Sequence, residues 1–201
     1  RLGFSRPISS LTEESSEALQ MSLVYDMTRD RVLSDFPWQF ARKFVLLAEL
    51  SETHPEWSYV YQLPNDCVMA LRLIGQAEAE GYWTGLDYRL GYQPPMQGGP
   101  VRIQFAIGNV GGGRVILSNE PTPYLEYTAR IDDPLLYPAA FQDTLAWALA
   151  FESCMALTEN AELRADTGER YMQALQRAEA REFNEGQGPS EPDSEFMRAR
   201  L

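Results

Sequence analysis

The period of the apolar residues changes twice along this 201-residue chain, and those changes limit the folds open to it more than any other feature. In the first part Leu19, Leu23 and Met27 recur at four-residue steps after Ser10-x-x-Glu13, which has the form of a capping box, and this predicts a helix over 12–34. It should stop before Pro37, because proline pushes its predecessor out of the helical region. The middle turns to the two-residue period of strands. Residues 43–48, 58–63, 67–74, 101–108, 113–118 and 124–131 are short apolar or alternating runs, most clearly Val101, Ile103, Phe105 and Ile107 against Arg102, Gln104 and Ala106. The glycine-rich run 108–113 predicts a hairpin tip. Beyond Asp132-Asp133-Pro134 the helical period returns over 134–157 and again over 161–183. The expected fold is therefore α+β, with an antiparallel meander between helical segments.

Two stretches stand apart. Residues 75–100 hold six glycines, three prolines and the aromatics Tyr82, Trp83, Tyr88 and Tyr92, a composition expected of a long loop with a binding task. Residues 184–201 combine Gly, Pro, Ser and acids with a short apolar end, Phe196-Met197, and are expected to form a flexible C-terminal tail after a domain over 1–183. The helix 134–157 is apolar on nearly every side, with Phe141, Trp147 and Phe151 spread around it, and is expected to be buried on several sides, by its own domain or by a neighbouring subunit.

Charge and cysteine usage exclude several function classes. With 17 basic residues against 29 acidic ones the net charge is −12, and Lys43 is the sole lysine. Such a surface releases few counterions and does not hold DNA nonspecifically. No apolar run approaches the roughly 20 residues that cross a bilayer, and the opening residues lack the pattern of a signal peptide. Cys67 and Cys154, each in apolar company, read as small buried hydrophobes in a reducing compartment rather than as a disulfide.

Catalytic readings are weak. The single histidine, His54, stands next to Pro55 in a polar turn with nothing beside it in sequence to act as nucleophile or orienting group. No Gly-x-Ser-x-Gly surrounds any serine. One histidine and two distant cysteines leave zinc without a ligand set. Asp132 and Asp133 suit a helix start better than a metal. The 108–113 glycines lack the following Lys-Ser or Lys-Thr of a phosphate loop and lead into a strand, so they read as a turn. Glu49, Glu52 and Glu56 lie near aromatics, as carboxylates do in sugar-cleaving sites, but nothing sets their spacing. A chain without catalytic residues, cofactor or metal is the expectation.

Several motifs in this order resemble one family. They are Pro7-Ile8-Ser9-Ser10-Leu11, then Asp35-Phe36-Pro37-Trp38-x-Phe40-Ala41, then Pro55-Glu56-Trp57-Ser58-Tyr59-x-Tyr61-Gln62-Leu63-Pro64-x-Asp66-Cys67. Later come Leu117-Ser118-Asn119-Glu120-Pro121 and Tyr127-Thr128-Ala129-Arg130, then Asp133-Pro134 with Phe141. Together they are similar to the head-to-tail adaptor, or connector, proteins of tailed bacteriophages, over about residues 1–183. The resemblance implies a helical bundle with an inserted antiparallel β-rich lobe over about 43–131, a virion protein without enzymatic activity, assembled in the host cytoplasm as a homo-oligomeric ring, expected at twelve copies, between the portal protein of the head and a tail or nozzle protein. DNA would pass through its acidic channel without specific binding, and no membrane is involved. Under that reading the portal interface is expected at Phe183, Pro189, Pro192, Phe196, Met197, Arg198, Arg200 and Leu201. The tail or neighbour interface is expected at Tyr82, Trp83, Tyr88, Tyr92, Asn109 and Val110. The inter-protomer helix would present Phe141, Trp147 and Phe151. A stopper ring of a long-tailed phage, a tail-associated peptidoglycan hydrolase and a small-molecule-binding domain are the alternatives.

Overall fold

The computed structural model describes residues 2, 8–75 and 103–185. Among them are helices α1 (Ser16–Asp35), α2 (Ala139–Thr158) and α3 (Ala161–Glu185), and strands β1 (Arg42–Leu46), β2 (Tyr59–Gln62), β3 (Cys67–Ile74), β4 (Phe105–Val110), β5 (Gly113–Ser118) and β6 (Tyr124–Ala129). The fold is mixed α+β. The described residues divide into two compact units, one built from the segments up to Val32 and from Asp133 onward, the other from Leu33–Asp132.

In the second unit the strands form two three-stranded antiparallel sheets, β1-β6-β3 and β2-β5-β4. Single bridges join them at both ends. Leu73 at the end of β3 pairs with Ile103, two residues before β4, and Glu49 beyond β1 pairs with Tyr61 in β2. The second junction is reinforced where Leu50 N–H donates to Val60 O (2.8 Å) and Gln62 N–H to Ala48 O (2.9 Å). Followed round, the neighbours run β1, β6, β3, β4, β5, β2 and back to the chain leaving β1, so the strands close on themselves as in a small barrel, which leaves little edge for another chain to pair with. Leu47, Tyr61, Leu63, Leu73, Ile116, Leu125, Tyr127 and Ala129, drawn from both sheets, share one core. Val60, Val115 and Leu117 bury the opposite face of β2 and β5 under Leu50 and Trp57. This two-sided burial is why β5 reads as an unbroken Val-Ile-Leu run.

Several boundaries differ from the sequence expectation, each for a local reason. The Glu13 carboxylate does accept the Ser9 N–H (2.9 Å), but the pair closes a turn ahead of the helix. Ser15 Oγ accepts the Ala18 N–H (3.2 Å), making Ser15 the N-cap, so α1 starts at Ser16 and not at 12. Asp133 Oδ1 accepts the Leu135 N–H (2.9 Å), yet it opens only the 3-10 turn Pro134–Leu136. Pro138 holds Tyr137 in extended backbone, and α2 begins after it rather than at 134. A 3-10 turn, Gln39–Ala41, precedes β1. The hairpin tip is shorter than the run 108–113. Val110 pairs with Gly113, leaving Gly111 and Gly112 at φ +61° and +82°, the two positive values that a type I′ turn demands. Residues 76–100 and 186–201 lie outside the described residues.

In the first unit α2 and α3 pack as a hairpin through Glu159, which takes the left-handed conformation (φ 51°), and Asn160, whose Oδ1 caps α3 by accepting the Leu163 N–H (3.0 Å). Buried Thr144, Ser153 and Thr167 return their hydroxyls to carbonyls of their own helices at 2.9, 2.6 and 2.9 Å, so they pack as small residues. A Cβ at Gly168 would stand 3.2 Å from the Phe151 ring, a sign of how closely that ring lies on the α3 backbone.

Candidate functional site

The feature that most needs explaining is the orientation of α1. Leu19, Leu23 and Met27, which recur at four-residue steps in the sequence, are 62%, 64% and 71% exposed. The buried side instead carries Ala18, Thr28, Arg29 and Val32. A charged residue occupies the buried side because its charge is met. Arg29 Nη1 lies 3.1 Å from Asp26 Oδ1 and Nη2 3.0 Å from Asp30 Oδ1. Arg31 joins α1 to the hairpin, its guanidinium pairing with Glu152 of α2 and lying 5.7 Å from the Tyr171 ring centre of α3. Four-residue spacing identifies a face but not the direction in which it points. Exposed apolar side chains aligned over two turns of a helix mark an interaction surface.

The surface of α3 is chemically different. Arg170, Arg177 and Arg181 are exposed along one line of it, and Met172, 52% exposed, stands about half a turn round the helix from that line. Arg170 Nε donates to Asp166 Oδ2 (2.8 Å), and its guanidinium carbon lies 5.2 Å from the Trp147 ring centre.

In the β unit the polar groups act as ties. Glu126, buried in the central strand β6, accepts from Arg72 of β3 and meets Arg42 Nη1 of β1 at 3.2 Å. Lys43 Nζ donates to Asp66 Oδ2 (2.8 Å), and the Tyr127 hydroxyl to Asp66 Oδ1 (3.1 Å). Burial alone would raise the Asp66 carboxyl, but the bonds from Lys43 and Tyr127 outweigh it and hold it below the ordinary 3.8. Burial, with Asp66 beside it, pushes the Tyr127 phenol well up, and burial pushes the Cys67 thiol up to about 11, so neither ionises near neutrality.

One pH effect follows. The folded carboxyl of Asp66 binds its proton less readily than the unfolded one, so its contribution to stability is complete above the unfolded value and is lost as pH falls through the folded value. Urea midpoints measured from pH 6 to pH 2.5 should therefore drop more steeply below 3.8 for the parent than for Asp66→Asn, and parallel curves would show that this tie contributes nothing.

The residues with catalytic potential are not brought together. His54 Nδ1 accepts the Glu56 N–H (3.2 Å) within its own turn. Glu49 bridges to Tyr61, while Glu52 lies against the Gly111 turn, where its Oε1 would be 3.3 Å from an added Cβ. Among the described residues no group of three or more His, Cys, Asp or Glu could hold a metal ion, and no helix is long and apolar enough to cross a membrane.

The other expected contact residues fall as follows. Phe141 is fully buried, its ring 4.8 Å from Tyr137, and so is not part of any surface. Trp147 and Phe151 are half-buried beneath Arg170 and Arg164 of the same chain, the latter 4.6 Å from its ring. Asn109 and Val110 belong to β4 rather than to the hairpin tip, and Asn109 is exposed. Phe183 lies within the last turns of α3. Tyr82, Trp83, Tyr88 and Tyr92, and Pro189, Pro192, Phe196, Met197, Arg198, Arg200 and Leu201, lie outside the described residues. A scan against protein-family models finds no match to this chain, and a search of curated proteins finds none either.

Proposed function

We propose that the chain is a head-to-tail adaptor of a tailed bacteriophage, a structural virion protein that forms a ring, expected at twelve copies, between the portal and the tail. In this reading the helices are the bundle of the ring, the β unit is a lobe inserted into it, and residues 184–201 dock on the portal. The observation that carries it is the outward apolar stripe of α1. A helix that turns two leucines and a methionine to solvent while burying an arginine is built to be covered by another protein. The ordered motifs from Asp35-Phe36-Pro37-Trp38 to Tyr127-Thr128-Ala129-Arg130 support the family, and the net charge of −12 suits a channel wall that gives phosphates no cationic stop.

The test is to mix the purified chain with the portal ring of its phage, co-sediment the two, and average electron micrographs of the product. An added ring with the portal's symmetry is expected, and loss of that ring on truncation after residue 183 would assign the tail. A chain that stays in the supernatant beside intact portal rings sinks the proposal.

A further inference from the structure

We propose that the α1 stripe of the free chain is covered by α1 of a second copy, the two helices lying antiparallel about a two-fold axis at Leu23. Leu19, Leu23 and Met27 are the exposed large apolar residues of the helix, and Leu23 lies on the opposite side of it from the fully buried Val32. The stripe is thus centred on the side that the rest of its own unit leaves uncovered. Its two ends are alike, with one large apolar residue four positions before Leu23 and another four positions after it. A surface that reads the same from both ends is complementary to itself under a two-fold rotation.

The polar residues beside the stripe select the direction. In an antiparallel pair centred on Leu23, that residue meets its own counterpart, and Leu19 of each copy stands level with Met27 of the other. Gln20 then stands level with the other copy's Asp26, and Ser16 with its Asp30. All of these residues lie within about 60° of Leu23 around the helix. Arg29 holds Oδ1 of both acids from the inner side, so neither enters the seam as a bare charge. Asp26 remains 79% exposed, and the Gln20 amide carries the N–H donors that a carboxylate accepts. Glu17 and Asp35, the other acids of α1, lie about a third of a turn round from Leu23, away from the seam. A parallel pair would instead set Asp26 beside Asp26 and Asp30 beside Asp30, four acids against two arginines, with the helix dipoles aligned.

The pairing is weak. Three apolar side chains from each copy fall well short of the roughly 800 Å² per partner of a standard interface. Two chains that each carry a net charge of −12 also repel at long range. Salt screens that repulsion, so association should strengthen as ionic strength rises, the reverse of a contact held by ion pairs. A two-fold contact closes on itself and yields a dimer and nothing larger. It therefore describes the free chain and stands apart from the adaptor reading. Wherever a ring neighbour or the portal takes the stripe, the pair must part.

The test uses the full chain without portal rings, so its outcome does not depend on the adaptor reading. Sedimentation equilibrium over a wide concentration range is expected to show monomer and dimer only, with tighter association at about 0.5 M than at about 0.05 M salt. Leu23→Glu sets two carboxylates together at the axis and should weaken the dimer at least about tenfold, with an unchanged circular dichroism spectrum. Cysteine variants read the register in a Cys67→Ala background, where the remaining Cys154 is buried. With an added oxidant, Leu23→Cys should link to itself. Leu19→Cys and Met27→Cys, mixed, should link to each other in preference to themselves, because like positions stand about 12 Å apart along the axis. A parent that stays monomeric throughout, or a Leu23→Glu variant that dimerises as tightly as the parent, overturns the proposal. So does self-linking of Leu19→Cys and Met27→Cys in preference to the mixed pair. Species larger than a dimer that Leu23→Glu abolishes would assign the stripe to a ring neighbour and overturn the two-fold pairing as well.

Discussion

Truncating Phe141 to alanine is expected to cost about 3–5 kcal/mol, whereas truncating Leu23 should change the stability of the monomer by no more than about 0.5 kcal/mol. Both are large apolar residues of helices in the same unit, and hydropathy alone would rank them together. Phe141 has no exposed surface and stacks edge-on against Tyr137 at 4.8 Å, with Tyr137 itself held at the entry to α2 where its carbonyl accepts Gln142 Nε2 (2.8 Å). Removing the ring forfeits its transfer free energy and leaves a void that the Pro138-fixed backbone cannot collapse to fill. Leu23 is 64% exposed, so its truncation returns little area to water in the free chain. Urea unfolding with an unchanged slope reads both values. A loss above about 2 kcal/mol for Leu23→Ala would place α1's apolar line in a core and remove it as an interaction surface.

What the sequence disclosed follows from which signals are local. Asn160 before Ala161 marks the start of α3, the buried Val115-Ile116-Leu117 run marks β5, and the glycines at 111 and 112 mark a two-residue turn. Each is set by its own few residues. Competing local signals were harder to rank. Ser10 and Ser15 both offer a capping hydroxyl, and only the observed bond from Ala18 selects the second. Pro138 is itself a start signal, but the Asp133-Pro134 pair just before it drew the predicted start of α2 to 134. The orientation of α1 is not a local property at all. It depends on Glu152 and Tyr171, more than a hundred residues away, receiving Arg31 and so fixing which side of the helix faces in. The closure of the β unit is equally nonlocal, resting on the single pairings Leu73 with Ile103 and Glu49 with Tyr61.

The second large effect belongs to Glu126, whose replacement by alanine is expected to cost about 3 kcal/mol, more than removal of either arginine that it binds. The carboxylate is almost fully buried on the central strand β6, and its two oxygens are divided between flanking strands, one to Arg42 of β1 and one to Arg72 of β3. Taking it away removes the carboxylate that neutralises both guanidinium groups. The cost stays at the lower end of the range for broken buried pairs because Arg72 is half-exposed and regains water. For the same reason Arg72→Ala should cost about 1 kcal/mol or less. Arg42→Ala should fall between them, since Arg42 Nε is a buried nitrogen without a hydrogen-bond partner and its removal relieves that deficit. Thr128, opposite Arg42 in the register, carries a second such buried atom in its hydroxyl, so Thr128→Val is expected to be near neutral or mildly stabilising. Combining Glu126→Leu with Arg42→Met and Arg72→Met should recover much of the loss, because an apolar trio of similar volume has no desolvation to repay. The decisive comparison is the order of the single variants in denaturant. If Glu126→Ala unfolds no more readily than Arg72→Ala, the shared carboxylate is not what ties the three strands together, and their backbone pairing alone must hold that sheet.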